Sequence, residues 1–307
     1  MRRIMVQFLW LAVIVSITGG CSFKRIAVNK VGNALAGGGT TFASDDDPEL
    51  IKAATPFSLK LMESLLAESP KHKGLLFATA SGFTQFSYAF VQLEADEMEA
   101  TDVTKAMEMR KRAQKLYLRA RDYGLRGLEA AHPGFTNALR ADSKNAVKKL
   151  RHKDVPITYW TAASWAAAVS VVKDDPELIA DLPLIETLIE RALALDEAYD
   201  NGAIHTFMIA YEMARPRREN DPATRARGHF DRAVRLSGGL QAAPFVSMAE
   251  NVAVPQQDMS QFETLLNTAL AIDVNAKPEW RLQNIILQRR ARWLLDNKAD
   301  LIEQEPN

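Results

Sequence analysis

The chain has 307 residues, and its 38 Lys+Arg and 38 Asp+Glu give a formal net charge of zero, which argues against nucleic acid as the main partner. The single cysteine excludes a disulfide framework, a cysteine-cluster zinc site and an iron–sulfur site within one chain, and the five histidines show no HExxH spacing. We therefore predict no metal site and no cofactor in a chain long enough for two domains or one elongated repeat array.

The N-terminus predicts an export signal over residues 1–20. Arg2 and Arg3 precede an apolar run over 4–17. This run is too short to cross a bilayer as a helix, which requires about 20 apolar residues. A charged start followed by a short apolar run is typical of a secretory signal.

The position of the only cysteine favours a lipoprotein signal. Small residues, Thr18-Gly19-Gly20, stand directly before Cys21. We predict that Cys21 is the lipid attachment site and the N-terminus of the mature protein, although Thr18 stands where such signals prefer Leu. Ser22 favours sorting to the outer membrane. The alternatives are an ordinary signal peptide or a short membrane anchor in which the cysteine has no role.

A flexible tether is predicted for residues 21–44, because this segment contains Gly32 and the triple glycine 37–39 and has few large apolar residues. The folded domain is predicted over 45–307. Asp47 is a good N-cap for a helix that starts at Pro48.

The remainder of the sequence predicts helices and no strands. Apolar residues recur at spacings of three and four, as in Leu59, Met62, Leu65 and Leu66. The predicted helices cover 48–68, 73–95, 98–131, 134–150, 156–173, 176–196, 200–214, 222–237, 240–253, 259–272 and 277–297. Pro56 and Pro183 are expected to kink or split their helices.

Internal repetition suggests how these helices are arranged. The hexapeptide Asp-Asp-Pro-Glu-Leu-Ile occurs at 46–51 and again at 174–179, and each copy is followed by a further proline and a similar helix ending. Such helix–turn–helix units at a period near 34 residues resemble degenerate tetratricopeptide repeats. We therefore predict an all-α fold of stacked helical hairpins with a concave binding surface.

Some predicted helices mix small residues with aromatic and hydroxyl side chains, as in 78–88 and 159–168. Buried hydroxyl groups need partners, so this composition favours a cavity beside these helices. A helix near 200–214 carries polar residues along one face. The alternative is that all of these residues are ordinary core positions. The candidate cavity-lining residues are Phe83, Tyr88, Trp160, Trp165, Asn201, His205, Met208 and Asn251.

Catalysis is not predicted. The sequence contains no Gly-x-Ser-x-Gly elbow, no phosphate loop and no dinucleotide fingerprint, and Cys21 is assigned to lipid attachment. The chain is therefore expected not to be an enzyme.

Seven stretches, together with the lipoprotein signal and the Gly-rich segment, resemble the TatT family. These are the T-component lipoproteins of TRAP-type (tripartite ATP-independent periplasmic) transporters. The resemblance covers essentially the whole mature chain. The stretches are 44–50, 56–66, 81–92, 159–165, 200–205, 248–258 and 282–295.

The resemblance implies a periplasmic homotrimer of all-α subunits, each with a tetratricopeptide-like fold and a cavity or pore. It also implies association with the transporter's substrate-binding protein and transfer of a small ligand, which can be hydrophobic, toward the membrane permease. The second hypothesis is a structural periplasmic scaffold that binds other proteins without handling a ligand.

Overall fold

In the computed structural model, which describes residues 29–34, 37, 39–172, 174–215 and 221–303, the chain is helical and contains no strand within these ranges. The prediction of an all-α protein is confirmed. None of the helices in these ranges has the length and apolar character needed to cross a membrane. The signal sequence and Cys21 lie outside the described residues.

The helices are, in chain order, α1 (Gly39–Ala43), α2 (Pro48–Glu68), α3 (Lys73–Ser87), α4 (Leu93–Met98), α5 (Val103–Ala131), α6 (Phe135–Ala141), α7 (Ser143–Ala146), α8 (Val155–Val171), α9 (Pro176–Ala180), α10 (Leu182–Leu195), α11 (Ala203–Ala214), α12 (Pro222–Ser237), α13 (Ala243–Met248), α14 (Met259–Leu270), α15 (Arg281–Asp296) and α16 (Lys298–Leu301). Two π-helices, Tyr88–Gln92 and Ala249–Ala253, follow α3 and α13, respectively. Short 3₁₀ turns occupy Val147–Lys149, His152–Asp154, Tyr199–Asn201 and Pro278–Trp280.

The start of the first long helix is as predicted. The Asp47 carboxylate accepts hydrogen bonds from the backbone N–H groups of Glu49 and Leu50, each at 3.0 Å. Proline occupies the first helical position, where no intrahelical donor is required. These local interactions are encoded entirely in the sequence.

The two interior prolines act differently. Pro56 lies inside α2 without splitting it. Pro183 stands at the beginning of α10, and Asp181 separates that helix from α9. The expected break is therefore confirmed at Pro183, whereas at Pro56 the packing of α2 against α3 retains one continuous helix.

Two predicted helices contain an element that periodicity alone does not reveal. The segments predicted over 73–95 and 240–253 each include a π-helix of five residues, Tyr88–Gln92 and Ala249–Ala253. A π-helix inserts an extra residue into a helical turn, so the side chains beyond it rotate to a different face. Such insertions are frequent at functional sites.

The helix predicted over 200–214 begins later, at Ala203. Asp200, Asn201 and Gly202 have positive φ values of 45°, 54° and 99°. Asp, Asn and Gly tolerate this left-handed region better than other residues, which explains why the chain turns here. Asn201 consequently lies outside the helix that carries His205 and Met208.

Within the predicted tether, residues 29–34 and Gly39–Ala43 are helical. The Ser69 hydroxyl lies 2.9 Å from the Asn29 side-chain oxygen, and a Cβ on Gly32 would lie 2.8 Å from Leu75. Part of the segment therefore contacts the helical domain directly. The boundary between tether and domain stays a prediction.

The last long helix packs against the first ones. Arg281 of α15 donates a hydrogen bond to the Ser44 carbonyl at 2.9 Å, and Arg289 lies 3.2 Å from the Glu49 carboxylate. Leu282 and Ile286 pack against a core cluster that includes Ile51. The helices between them contact one another largely in sequence, so this contact brings the two ends of the domain together.

Helices α5 and α8 approach each other closely at Gly124. A Cβ at this position would lie 3.0 Å from the Thr161 Cβ and 3.1 Å from its Cα. At Gly228 in α12, by contrast, a Cβ would meet no atom within 4 Å. The two glycines therefore differ in packing, although both are inside helices.

We predict opposite effects for the same substitution at these positions. Gly124→Ala forces two helix backbones apart and should destabilise the protein by about 1–3 kcal/mol. Gly228→Ala should stabilise it by about 0.5–1 kcal/mol, because alanine reduces backbone entropy in the unfolded chain without a clash. Urea unfolding followed by circular dichroism measures both. Equal stabilities of the two variants would contradict the close approach of α5 and α8.

Candidate functional site

Three polar regions lie between the helices, and the first is a cleft between α11 and α12. Its volume is about 550 Å³, and its lining includes His205, Met208, Gly228 and His229. His205 and Met208 are side chains that the sequence nominated. They lie on the same face of α11 because they are three residues apart in an α-helix.

A histidine pair crosses this cleft. The Nδ1 atoms of His205 and His229 are 2.8 Å apart, so one ring carries the shared hydrogen and the other accepts it. Desolvation lowers the pKa of both rings, and the neighbouring His205 helps to lower the pKa of His229 to about 4. Both rings are therefore neutral near pH 7.

A buried carboxylate joins the same two helices. Glu212 of α11 is 1% exposed, lies 2.7 Å from Arg215 and forms an ion pair with Arg225 of α12. A buried charge persists only when it is paired, so these arginines compensate Glu212. The charges in this region therefore primarily hold α11 and α12 together.

The second region is the junction of the two π-helices with α15. Arg290 of α15 donates to the Glu250 carboxylate at 2.8 Å through Nε and contacts it at 2.7 Å through Nη2. Its Nη1 atom lies 3.5 Å from Glu97. Arg290 is only 6% exposed, so this bidentate pair is fixed in a largely buried position.

Tyr88 faces the same junction. Tyr88 is 37% exposed. Desolvation by the surrounding protein nevertheless raises the pKa of its hydroxyl, and the negative charge of Glu250 raises this pKa further. Desolvation likewise raises the pKa of Glu250, whose side chain is 23% exposed. Tyr88 and Glu250 therefore retain some solvent exposure beside the largely buried Arg290.

The third region is a small cavity of about 60 Å³ beside the left-handed turn at residues 200–202. Tyr159 forms an aromatic cluster there with Trp160, at a ring-centroid distance of 5.1 Å, and with Tyr199, at 5.5 Å. Desolvation raises the pKa of the Asp200 carboxyl. The cavity thus combines an aromatic wall with a carboxyl group. Its lining residues are Tyr159, Asp200, Ala203, Thr206, Gln241, Ala243 and Gln283.

The nominated residues are distributed over these regions and the core. Tyr88 and Asn251 lie in the two π-helices, and Asn251 donates to the Ser247 carbonyl at 2.9 Å. Asn201 is exposed next to Asp200. Trp160 is partly buried in the aromatic cluster.

Two of the nominated aromatic residues lie in the hydrophobic core. Phe83 is 3% exposed and stacks on Tyr123. Trp165 is fully buried beneath the guanidinium of Arg121, 5.2 Å from the ring centroid. Neither residue faces the three polar regions, so neither is a candidate for ligand contact there.

The sequence reasoning missed Asp200, His229, Glu250 and Arg290. The triplet Asp200-Asn201-Gly202 is a recognisable signal for a left-handed turn. Glu250 and Arg290 carry no such signal, because they are 40 residues apart and meet only through the tertiary fold. In the described part of the chain, no group of three or more His, Cys, Asp or Glu residues is arranged to hold a metal ion.

Comparisons with known proteins relate this chain to a family of transporter components. A family described as TRAP transporter T-component matches residues 44–302. An uncharacterized protein of Treponema pallidum (strain Nichols) is 28% identical over 299 residues, which cover 92% of this chain and 93% of that protein.

The histidine pair predicts a pH dependence of stability. Because the folded-state pKa of His229 lies at about 4 and the ordinary value is 6.5, the unfolded chain binds more protons between these values. Stability should therefore be full above pH 6.5 and fall as the pH decreases toward 4, by roughly 1–2 kcal/mol after solvent screening.

Urea unfolding at a series of pH values measures this loss. His229→Asn, whose amide can replace Nδ1 without titrating, should flatten the curve in this range. His152→Asn is the matched control, since the His152 side chain is 76% exposed. The interpretation is wrong if His229→Asn and the native chain lose stability equally on acidification.

Proposed function

Since the chain belongs to the TRAP transporter T-component family, we propose that it is a periplasmic lipoprotein that receives or passes on a small ligand together with the transporter's substrate-binding protein. Family membership itself implies an accessory role in TRAP transport. Transporter accessory components are not a class of enzymes, and the absence of catalysis stays a prediction. The ligand can have apolar parts, since aromatic side chains accompany the polar groups near Tyr159.

The observation that supports ligand handling is the grouping of Tyr88, Glu250 and Arg290 between helices, and we propose that these side chains line a recess. Glu250 and Arg290 partner each other, whereas Tyr88, which is 37% exposed, can offer its hydroxyl to a ligand or to water. A packed scaffold gains nothing from such an arrangement. The π-helices support the same interpretation, because Tyr88 begins one of them and Glu250 lies in the other, and such insertions are frequent at functional sites.

Spacing along α15 supports a passage through the domain. Gln283, beside the Asp200 cavity, and Arg290, beside Tyr88, are seven residues apart on α15. Seven helical residues return to nearly the same face about 10 Å further along the axis. We propose that the Tyr88 recess and the Asp200 cavity are connected sections of one passage, surrounded by degenerate tetratricopeptide-like helix pairs.

Assembly and location complete the proposal. We propose a homotrimer held at the outer membrane by acylated Cys21, with the substrate-binding protein docking at an entrance of the passage. Zero net charge agrees with anchoring by lipid rather than by a basic surface. The alternative function is a structural scaffold, in which the same helices bind proteins and no ligand enters.

A bulky substitution in the recess distinguishes these two functions. Tyr88→Trp should reduce substrate uptake by about tenfold or more in a strain that depends on this transporter, because the larger ring narrows the passage. Phe57→Trp is the matched control, since Phe57 is 74% exposed on α2. Full uptake with Tyr88→Trp, at normal protein levels and with normal binding of the substrate-binding protein, would support the scaffold.

The lipid anchor has a separate test. Cys21→Ser should abolish incorporation of radiolabelled palmitate and shift the protein from the membrane fraction to the soluble periplasmic fraction, because the thiol is the acylated group. Ser22→Ala should leave both unchanged. Labelling that persists in Cys21→Ser would contradict acylation at this residue while leaving the transport role open.

A further inference from the structure

The small cavity beside the left-handed turn contains a carboxylate without a counterion. Among the described residues, Asp200 forms no ion pair and its side chain accepts no hydrogen bond. None of the residues that line the cavity is basic. Asp200 is exposed at the rim of the cavity, and a cationic group bound in the cavity would lie next to this unpaired carboxylate.

A buried amide with unused hydrogen-bonding groups faces the same cavity. Gln241 is 5% exposed, and its side chain makes no hydrogen bond to another described residue. The amide of Gln283, which also lines the cavity, is likewise without a protein partner. Gln283 is exposed at the rim of the cavity, where water can serve its amide. Buried side-chain amides nearly always have partners, so the Gln241 amide awaits a group that occupies the cavity. Each carbonyl oxygen can accept a hydrogen bond from an N–H donor.

The cavity wall is aromatic. Tyr159 is 8% exposed and packs against Trp160 and Tyr199. Its hydroxyl makes only a long contact, 3.5 Å, to the Ala203 carbonyl. An aromatic ring attracts a cation over its face, and this attraction grows when the site is desolvated.

The backbone that presents Asp200 is unusual. Asp200 has φ 45° and ψ 48°, and Asn201 next to it also has a positive φ. Two consecutive non-glycine residues in the left-handed region cost free energy, and such strain is concentrated at binding and catalytic sites. Here the strained turn presents the carboxylate to the cavity.

From this geometry we infer that the cavity binds a protonated amine, with the ammonium group against the Asp200 carboxylate. The carbonyl oxygens of Gln241 and Gln283 accept its remaining N–H groups, and the Tyr159 ring packs over it. The inference rests on the proposed function for its biological meaning, since it names a chemical group that the transported ligand carries. The binding itself is a property of the isolated protein.

Ethylammonium chloride is a suitable probe, because it carries one ammonium group and fits a small cavity. Binding to the detergent-solubilised full chain is measured by saturation-transfer NMR and calorimetry. Ethanol is the neutral control and propionate the anionic one. We expect saturable binding of ethylammonium, and at least tenfold weaker binding of either control, because only the cation pairs with Asp200.

Three variants locate the site. Asp200→Asn retains a residue that tolerates the left-handed turn and removes the charge, so affinity should fall about tenfold or more. Gln241→Leu should weaken binding several-fold by removing an acceptor. Asp231→Asn, at an exposed position on α12, is the matched control and should bind normally. Circular dichroism and thermal unfolding confirm that each variant is folded.

The outcomes separate this inference from the proposed function. Absence of saturable ethylammonium binding, equal binding by Asp200→Asn, or equal binding of ethanol would overturn the amine site. If one of these results is found together with loss of uptake in Tyr88→Trp, the proposed passage is supported and its ligand carries no amine that binds here. Conversely, amine binding together with normal uptake in Tyr88→Trp would support the amine site and contradict the passage.

Discussion

The packing of α15 against α1 and α2 is the contact on which the rest of the domain depends. Arg281 and Arg289 bond to residues more than 230 positions earlier, and Leu282 and Ile286 join the core cluster of Ile51. An open stack of helices would leave α15 with one neighbour. Packed against both ends of the domain, α15 brings Arg290 to the first π-helix and Gln283 to the Asp200 cavity. The polar regions are therefore consequences of a long-range contact rather than of any local motif.

The two π-helices act on this arrangement at close range. Tyr88 begins one of them and Glu250 lies in the other, and Arg290 is close to both. Because each insertion rotates the residues beyond it, the side chains that follow point in directions that a regular helix would not give them. The free energy lost in backbone geometry is offset by the bidentate ion pair and by the packing of the helices on either side.

Much of the fold follows from local sequence, whereas most of the site does not. The start of α2 is determined by Asp47 and Pro48, and the break before α10 by a proline. Periodicity identifies most helices but cannot distinguish an α-helix from one with a single inserted residue. His205 and Met208 were accessible because they share a helix face. Their partner His229 was not, since a pair of histidines on separate helices has no spacing that predicts contact.

The charges in the polar regions of the domain fall into two groups, those paired within the protein and one that is not. Glu212, Glu250 and Arg290 are all paired within the protein, so they stabilise helix contacts and offer little to a partner. Asp200 is the exception among the polar regions described, since its carboxylate has no protein cation. The selectivity of the amine site that we propose depends on this unpaired group rather than on the overall charge. The strained turn at residues 200–202 contributes to that state, because it presents the carboxylate at a cavity whose lining contains no basic residue.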